Sequence, residues 1–249
     1  MTRRRWIADE VHGETAVLVG EHAAHLSRVL RAQVGQEFDI ATGNAVRSGK
    51  ITSISEDRIE FALGNELLAK PAPKVTLLLA IFKFDRMEWA IEKCTEIGVT
   101  RIVPLIARRT DAHLAAASSR RRERWQRLAL QASEQARRAV LPEIDAPVKF
   151  KALREADSTT SDANADVAVW KIVLAESGSD ARLGDILDLR SVPATAETIL
   201  AVGPEGGWTD DELAWFRESG WQAASLGETI LRAETAAIVA AALVLEALR

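Results

Sequence analysis

Two glycine-containing segments in the last quarter of the chain have residue types suited to a small-molecule site. The first is Gly203–Gly207, with the sequence Gly-Pro-Glu-Gly-Gly, and the second is Leu226–Arg232. Each follows a short apolar run, Thr198–Val202 or Gln222–Leu226, and each precedes residues typical of a helix start. Glycine tolerates positive φ and lets a ligand approach the backbone closely. Because ligands bind at the carboxyl ends of strands in open α/β sheets, we predict that the two segments form one small-molecule site.

Each segment also has a simpler interpretation. Gly203–Gly207 lacks the Lys-Ser/Thr pair of a phosphate loop and the Gly-x-Gly-x-x-Gly spacing of a dinucleotide site, and a plain turn would look the same. A glutamate at position 234 suits the first turn of a helix through the helix dipole alone. The dipole does not explain why Ile230 and Leu231 lead directly to Arg232. That order offers an apolar surface for a flat ring beside a cation.

Length and composition indicate a globular protein with one small and one medium domain. The chain has 249 residues, of which 47% are hydrophobic, which is enough for one large core or two smaller ones. No apolar run approaches the roughly 20 residues needed to cross a bilayer, and the first residues lack an apolar signal core, so we expect a cytoplasmic protein with no membrane partner. Cys94 is the single cysteine, and we expect it to be buried. No residue cluster predicts a metal site.

Positive charge is concentrated in one part of the chain. The formal net charge is −4, yet the region Arg101–Arg138 holds ten arginines, no lysine and three acids. Arg3–Arg5 form a second basic cluster. Arginine suits phosphate forks and stacking on bases, so these clusters could bind RNA. A solvated, arginine-rich helix face explains the same pattern, and composition does not separate the two interpretations.

The pattern of apolar and polar residues changes near residue 70. Residues 1 to about 68 contain short, partly alternating runs separated by glycine and acidic turns, which is typical of a small β-barrel with one helix at His22–Leu30. Pro71 and Pro73 indicate a linker. The continuous apolar run Val75–Phe82 then predicts a strand buried on both faces of a parallel sheet. We therefore predict an α/β chain with domains 1–70 and 71–249.

Local signals predict the elements of the second domain. After Val75–Phe82, the expected strands are Ile102–Ala107, Ala165–Ala175, Ile199–Val202 and Ala223–Leu226. The first expected helix is capped by Asp85 and ends at Gly98, and the second runs from Ser119 to Ala139. A third starts with the capping box Thr209–Glu212. The last starts at Glu234, is heavily buried, and could lie in a subunit interface. The polar stretch 157–166 predicts a mobile loop.

The two glycine segments resemble the signature of the SPOUT methyltransferases, in which a strand with Val-Gly-Pro-Glu-Gly-Gly precedes Leu-Gly-x-x-Ile-Leu-Arg-x-Glu-Thr-Ala. Within them the chain is most similar to the bacterial 16S ribosomal RNA uridine N3-methyltransferases of the ribosomal RNA small subunit methyltransferase E family. Further blocks carry the same resemblance: Val29–Arg31, Lys83 with Arg86 and Glu88, Lys93–Val99, Pro104 with Arg108 and Arg109, and Gln131–Arg138 followed by Pro142. The resemblance therefore covers most of the chain.

The resemblance implies a homodimer with an N-terminal PUA-like, RNA-binding β-barrel and a C-terminal α/β domain tied in a trefoil knot. It implies methylation of a uridine at N3 in 16S ribosomal RNA, with S-adenosylmethionine as cofactor. By motif position, the cofactor contacts would be Leu200, Val202, Gly203, Pro204, Glu205, Gly206, Leu226, Gly227, Ile230, Leu231 and Arg232. The RNA contacts would be Arg3, Arg4, Arg31, Lys83, Arg86, Arg108, Arg109, Arg137 and Arg138.

Methylation at N3 requires loss of a weakly acidic imide proton, so the site must favour the anionic base. We expect Arg232 to donate a hydrogen bond to a uracil oxygen, where negative charge grows. Glu205 or Glu234 would accept the proton or orient the arginine.

Thr229 and Ala233 depart from the family pattern, which commonly has a basic residue and a threonine at these positions. This places an auxiliary RNA or cofactor contact in doubt and leaves the Arg232 and Glu234 positions intact. Two other functions stay open at this point. One is methylation of another RNA, such as transfer RNA, and the other is a non-catalytic RNA-binding protein.

Overall fold

The structure is a computed structural model that describes residues 5–43, 45–67, 73–159, 169–176, 181–188 and 197–248. It divides into two compact units. The first is Met1–Pro71 with Ser133–Leu141, and the second is Ala72–Ala132 with Pro142–Arg249. The first unit thus includes a segment from far along the chain, which no local pattern indicated. The predicted RNA contacts Arg3 and Arg4 and most of the predicted linker lie outside the described residues.

The first unit is built on a six-stranded sheet. Its strands are β1 (Arg5–Ile7), β2 (Glu10–His12), β3 (Thr15–Val19), β4 (Glu37–Ala41), β5 (Val46–Ile54) and β6 (Arg58–Leu67), in the order β1-β4-β5-β6-β3-β2. Every neighbouring pair is antiparallel except β1 and β4. The predicted run Val11–Val19 is two strands, because Gly13 turns the chain at a φ of 58°. The core of this sheet includes the fully buried Leu18, Ile40 and Phe61.

One helical segment interrupts this sheet, as predicted. It consists of α1 (Gly20–Ala24) followed by one π-helical turn at His25–Val29. Ala23 and Leu26 are fully buried on its inner side, so the segment covers one face of the unit's core.

The second unit is built on a parallel sheet. Its strands are β7 (Val75–Ala80), β8 (Arg101–Ile106), β9 (Glu143–Ile144), β10 (Val148–Lys149), β11 (Val169–Leu174), β12 (Glu197–Val202) and β13 (Gln222–Ala224). The order is β10-β8-β7-β12-β11-β13, and β9 also pairs with β8. Each of the five predicted strands has a counterpart among the described residues, and residues 165–168 of the predicted strand Ala165–Ala175 lie outside them. β9 and β10 have two residues each, which is too short for a hydrophobic period to show.

Helices cover both faces of this sheet. They are α2 (Phe84–Ile97), α3 (Ala112–Ala117), α4 (Arg122–Gln135), α5 (Phe150–Thr159), α6 (Leu183–Asp188), α7 (Asp210–Glu218) and α8 (Ala233–Ala247). One buried cluster joins the sheet to α2, α6 and α8, and a second joins it to α5 and α7. The second cluster is aromatic, with Phe150, Trp208, Trp215, Phe216 and Trp221 in contact through their rings.

Two details of the predicted helices, and the start of the predicted loop 157–166, are wrong. Lys83 is the N-cap of α2 and Asp85 lies inside its first turn, so Asp85 does not cap the helix. The single helix predicted over residues 119–139 is a 3₁₀ turn at Ser118–Arg121 followed by α4, which ends at Gln135. The predicted loop 157–166 begins inside α5, and its remainder, 160–166, lies outside the described residues.

Two predictions from local capping residues are confirmed. Gly98 ends α2 with a φ of 124°, as predicted. The Thr209 side chain accepts a hydrogen bond from the Glu212 amide, and the Glu212 carboxylate accepts one from the Thr209 amide, so the capping box at α7 is confirmed. α8 is buried along one face, whereas its residues Val239 and Leu243 are 38% and 40% exposed.

Candidate functional site

The two glycine segments meet at one cavity of about 490 Å³. β12, β11 and β13 are parallel neighbours, so their carboxyl ends lie side by side at one edge of the sheet. The cavity opens at this edge, and its walls are Leu174–Glu176, Val202–Trp208 and Leu226–Ala233. The structure therefore brings together the two segments that the sequence analysis singled out.

The first segment, Gly203–Gly207, is held firmly. The Gly207 amide donates a hydrogen bond to the Pro204 carbonyl oxygen at 2.8 Å, which closes a tight turn, and Gly207 has a φ of 70°. The indole N–H of Trp208 donates to the Leu174 carbonyl oxygen at 2.9 Å. A Cβ atom added at Gly203 would lie 3.1 Å from that indole nitrogen, so glycine allows the close contact between the turn and Trp208.

Arg109 braces the same turn. Its guanidinium Nη1 donates to the carbonyl oxygens of Gly206, at 2.9 Å, and Trp208, at 3.1 Å. The sequence analysis assigned Arg109 to RNA. The structure gives it partners in the cavity wall instead, and an RNA contact stays a prediction.

The second segment, Leu226–Arg232, is more open. Gly227 has a φ of 121°, and Ile230 is 80% exposed. Arg232 is the N-cap of α8 but makes no side-chain cap hydrogen bond, and its side chain is exposed. Within the described ranges no ion-pair partner approaches Arg232. Its positive charge is therefore available at the rim of the cavity.

Arg86 also lines the cavity, and it pairs with two acids. Arg86 Nη1 lies 2.9 Å from Glu205 Oε1, and Arg86 Nε lies 3.8 Å from Glu234 Oε1. The Glu234 side chain is only 4% exposed, and its Oε2 is buried with no hydrogen-bond partner among the described residues. A buried carboxylate oxygen without a donor is costly, so Glu234 depends on Arg86 for compensation. Arg86 was predicted as an RNA contact, and here it connects two acids of the site.

Most predicted cofactor contacts line the cavity. They are Val202, Gly203, Pro204, Glu205, Gly206, Leu226, Gly227, Ile230, Leu231 and Arg232. Leu200 is not among the lining residues, because it lies inside β12 with no exposed surface. Of the predicted catalytic residues, Arg232 and Glu205 line the cavity and Glu234 is buried behind it.

The other predicted RNA contacts that the structure describes belong to both units. Lys83 and Arg108 are exposed in the second unit, near α2 and at the end of β8. In the first unit, Arg31 and Arg137 are exposed with φ values of 51° and 53°. The Arg138 side chain is partly buried, and this burial lowers the pKa of its guanidinium to about 10.

Sequence reasoning missed the third wall of the cavity. Leu174 ends β11, and Ala175 and Glu176 follow it at the rim. The available signal was the apolar run that ends before Glu176, similar to the runs that precede Gly203–Gly207 and Leu226–Arg232.

The sequence analysis also raised a cysteine, metal ligands and membrane spans, and the described residues bear on each. Burial raises the pKa of the Cys94 thiol to about 12, so this thiol stays protonated and is no nucleophile near neutral pH. Among the residues that the structure describes, no group of three or more His, Cys, Asp or Glu side chains could hold a metal ion. In the same part of the chain, no helix has the length and apolar character to cross a membrane.

Comparison with known proteins identifies the family. Residues 69–245 match the RNA methyltransferase domain family. A ribosomal RNA small subunit methyltransferase E from Synechocystis is 34% identical over 94% of this chain and 74% of its own length. A relative of the same name from Mycobacterium tuberculosis is 30% identical over 92% of this chain and 85% of its own length.

Solved structures agree with these relatives. A ribosomal RNA small subunit methyltransferase E from Neisseria gonorrhoeae, bound to S-adenosyl methionine, is 27% identical, with a TM-score of 0.76 over 97% of this chain and 96% of that chain. A Legionella pneumophila protein with the same bound cofactor is 28% identical, with a TM-score of 0.74 over 99% and 98%. The resemblance seen in the sequence is thus confirmed, and the chain belongs to the RNA methyltransferase domain family, alongside the ribosomal RNA small subunit methyltransferase E proteins.

Proposed function

We propose that this protein transfers a methyl group from S-adenosylmethionine to N3 of a uridine in 16S ribosomal RNA of the small subunit. The observation that carries the proposal is the single cavity shared by Gly203–Gly207 and Leu226–Arg232, with Arg232 at its rim and without an ion-pair partner among the described residues. The names of the relatives and the cofactor bound in two similar structures support it. When bound, S-adenosylmethionine supplies a methyl group on a positively charged sulfur.

The residues of the cavity fit this cofactor. A volume of about 490 Å³ lies within the roughly 300–1,000 Å³ of small-molecule sites. Glycine backbone in both segments leaves amide and carbonyl groups accessible, and Leu226 and Leu231 provide half-buried apolar surface for a flat base. We assign the grip on the cofactor to the segments 202–206 and 226–231.

Arg232 is the residue we assign to the target base. Loss of the N3 proton places negative charge on the neighbouring uracil oxygens, and a guanidinium donor there lowers the energy of the anionic base. Arg86 is less suited to this role because Glu205 and Glu234 already share its charge. Arg232 has no such partner in the described part of the chain.

Glu205 and Glu234 receive different roles. Glu205 lines the cavity and is 39% exposed, so it is the acid placed to accept a proton from the base or from a bridging water. Glu234 is buried behind the wall and contacts Arg86. We assign Glu234 to positioning, since it holds Arg86 and through it the Glu205 carboxylate.

The wider organisation follows the same proposal. Residues 1–70 would form a PUA-like, RNA-binding barrel, which the six-stranded sheet supports, and residues 71–249 a knotted methyltransferase domain. A homodimer would cover Val239 and Leu243 on α8 and the 49% exposed Trp89 on α2, since these two helices pack together. A ribosomal substrate places the site of action in the cytoplasm.

Titration of the purified protein with S-adenosylmethionine, followed by methyl transfer assays, tests the function. We expect saturable cofactor binding and transfer to small-subunit RNA, with little transfer to transfer RNA. A protein that binds RNA but no cofactor would instead be a non-catalytic RNA-binding module. Preferred transfer to transfer RNA would contradict the proposed substrate.

A further inference from the structure

A second cavity, of about 950 Å³, lies next to the first in the same unit. Two adjacent residues line different cavities: Arg109 lines the first cavity and Arg108 lines the second. Likewise Trp208 faces the first cavity and Thr209 the second. We call this second cavity the basic groove, after its lining residues Arg108, Lys149, Lys151 and Arg154.

The fold fixes the cations of the basic groove. Lys149 pairs in register with Ile106, so it lies beside the end of β8 just before Arg108. The next residue, Phe150, begins α5 and packs its ring 5.1 Å from Trp215 and 5.4 Å from Phe216. This buried anchor holds the first turn of α5, and therefore Lys149 and Arg154, at the edge of the groove.

Three acids also line the groove, and one of them, Glu155, pairs with the groove cation Lys151. Glu212 is buried, and its two carboxylate oxygens already accept hydrogen bonds from the Arg108 and Thr209 amides. Glu155 lies 3.8 Å from Lys151. The remaining acid, Asp211, is in the first turn of α7, where the helix dipole favours it.

Positive charge is therefore in excess at the groove. Across the described ranges, Arg108, Lys149 and Arg154 have no ion-pair partner, and the four cations of the lining exceed its three acids, Glu155, Asp211 and Glu212, by one charge.

Several other arginines of the region Arg101–Arg138 do have partners within the protein. Arg101 pairs with Asp145 at 2.6 Å, and Arg124 lies 2.8 Å from Glu88. The guanidinium of Arg122 donates to the Ile144 carbonyl oxygen, and that of Arg121 lies over the Phe84 ring, 4.6 Å from its centroid. Many of these arginines therefore stabilise the fold, and the groove offers unpaired cations beside the candidate active site.

We propose that the basic groove binds phosphates of the RNA strand whose target base enters the adjoining cavity. This proposal rests on the proposed function, because it takes the first cavity as the methylation site. A single strand that leaves that cavity past Arg108 would reach Lys149 and Arg154 with its next phosphates. Cations without protein partners bind phosphate at no cost in broken ion pairs, and they make the affinity salt-dependent.

The test is the salt dependence of RNA binding by the full chain with the double substitution Lys149→Gln and Arg154→Gln. The probe is a single-stranded RNA that carries the small-subunit target sequence. We expect the slope of log affinity against log salt to fall by about 1.4, since each lost single-strand phosphate contact removes about 0.7. The affinity for S-adenosylmethionine should be unchanged.

The matched control is the double substitution Arg120→Gln and Arg127→Gln, which removes the same charge from exposed arginines before and within α4. It should leave the slope unchanged. A groove variant with the wild-type slope and affinity, in a protein that methylates RNA normally, would overturn the groove and leave the proposed function standing. Wild-type protein that neither binds the RNA nor methylates it would overturn both.

Discussion

The two glycine walls of the cavity differ in how their charges are partnered. The Gly203–Gly207 wall is fixed by Arg109 through two carbonyl oxygens and by Arg86 through Glu205. The Leu226–Arg232 wall ends in an exposed arginine without a partner among the described residues, next to an Ile230 that is 80% exposed. We therefore propose that the partnered cations hold the site together and that Arg232, which has no partner among the described residues, acts on the substrate.

Replacing Arg232 with alanine should produce the largest effect. If Arg232 stabilises the anionic uracil, kcat for methyl transfer should fall by about 10²–10³-fold, as with the loss of one oxyanion donor. Cofactor affinity, measured by calorimetric titration, should change little. Arg217→Ala, which removes an exposed arginine at the end of α7, is the matched control and should keep full activity. Near-normal turnover of Arg232→Ala would remove this residue from the chemistry.

The open wall also depends on an unusual backbone conformation. No atom lies within 4 Å of a Cβ added at Gly227, but its φ of 121° strains any other residue. Gly227→Ala should therefore cost about 1–3 kcal/mol in the free energy of unfolding, measured in urea. Gly184→Ala is the control, since its added Cβ also meets open space and its φ is unremarkable. Equal effects of the two substitutions would contradict backbone strain as the cause.

The fixed wall should respond through cofactor affinity. Arg109→Ala removes two hydrogen bonds that hold the turn, so the segment 203–207 samples more conformations before binding. We expect the affinity for S-adenosylmethionine to fall about tenfold, or about 1.4 kcal/mol, with a smaller change in kcat once the cofactor is saturating. Arg127→Ala removes an exposed arginine of α4 and should not change the affinity. A fall in kcat with unchanged cofactor affinity would instead assign Arg109 to the chemical step, the role proposed for Arg232.

A partnered cation in the first unit extends the comparison. His22 Nε2 lies 2.7 Å from Glu134, and its Nδ1 lies 3.1 Å from Asp9. The hydrogen bond with Glu134, and secondarily the one with Asp9, raises the pKa of His22 from 6.5 to about 9. A raised pKa means that the charged form is favoured on folding, so its stabilisation is complete below pH 6.5 and is lost as the pH rises through 9.

His22→Gln should therefore lower the unfolding free energy by about 1–2 kcal/mol at pH 6, after allowance for solvent screening. The difference from wild type should shrink by pH 10. Urea unfolding across this pH range measures it, with the exposed His12 replaced by Gln as control. A difference that does not depend on pH would show that the histidine packs without using its charge.

Sequence patterns predicted the local features of the fold and of the site. The capping box at Thr209, the end of α2 at Gly98 and the glycine turns are each encoded within a few adjacent residues. The pairing of Arg86 with Glu205 joins positions 119 residues apart, and no local pattern contains it. The same holds for Ser133–Leu141, which belongs to the first unit, and for the contacts that make Arg109 part of the cavity wall.

The most direct test of the account is mass mapping of methylated nucleosides in small-subunit ribosomal RNA from cells with and without this protein. We expect one 3-methyluridine to disappear without the protein. Wild-type protein should restore this nucleoside, and Arg232→Ala should not. An unchanged set of methylated nucleosides, or the loss of a methyl group from a base other than uridine, would contradict it.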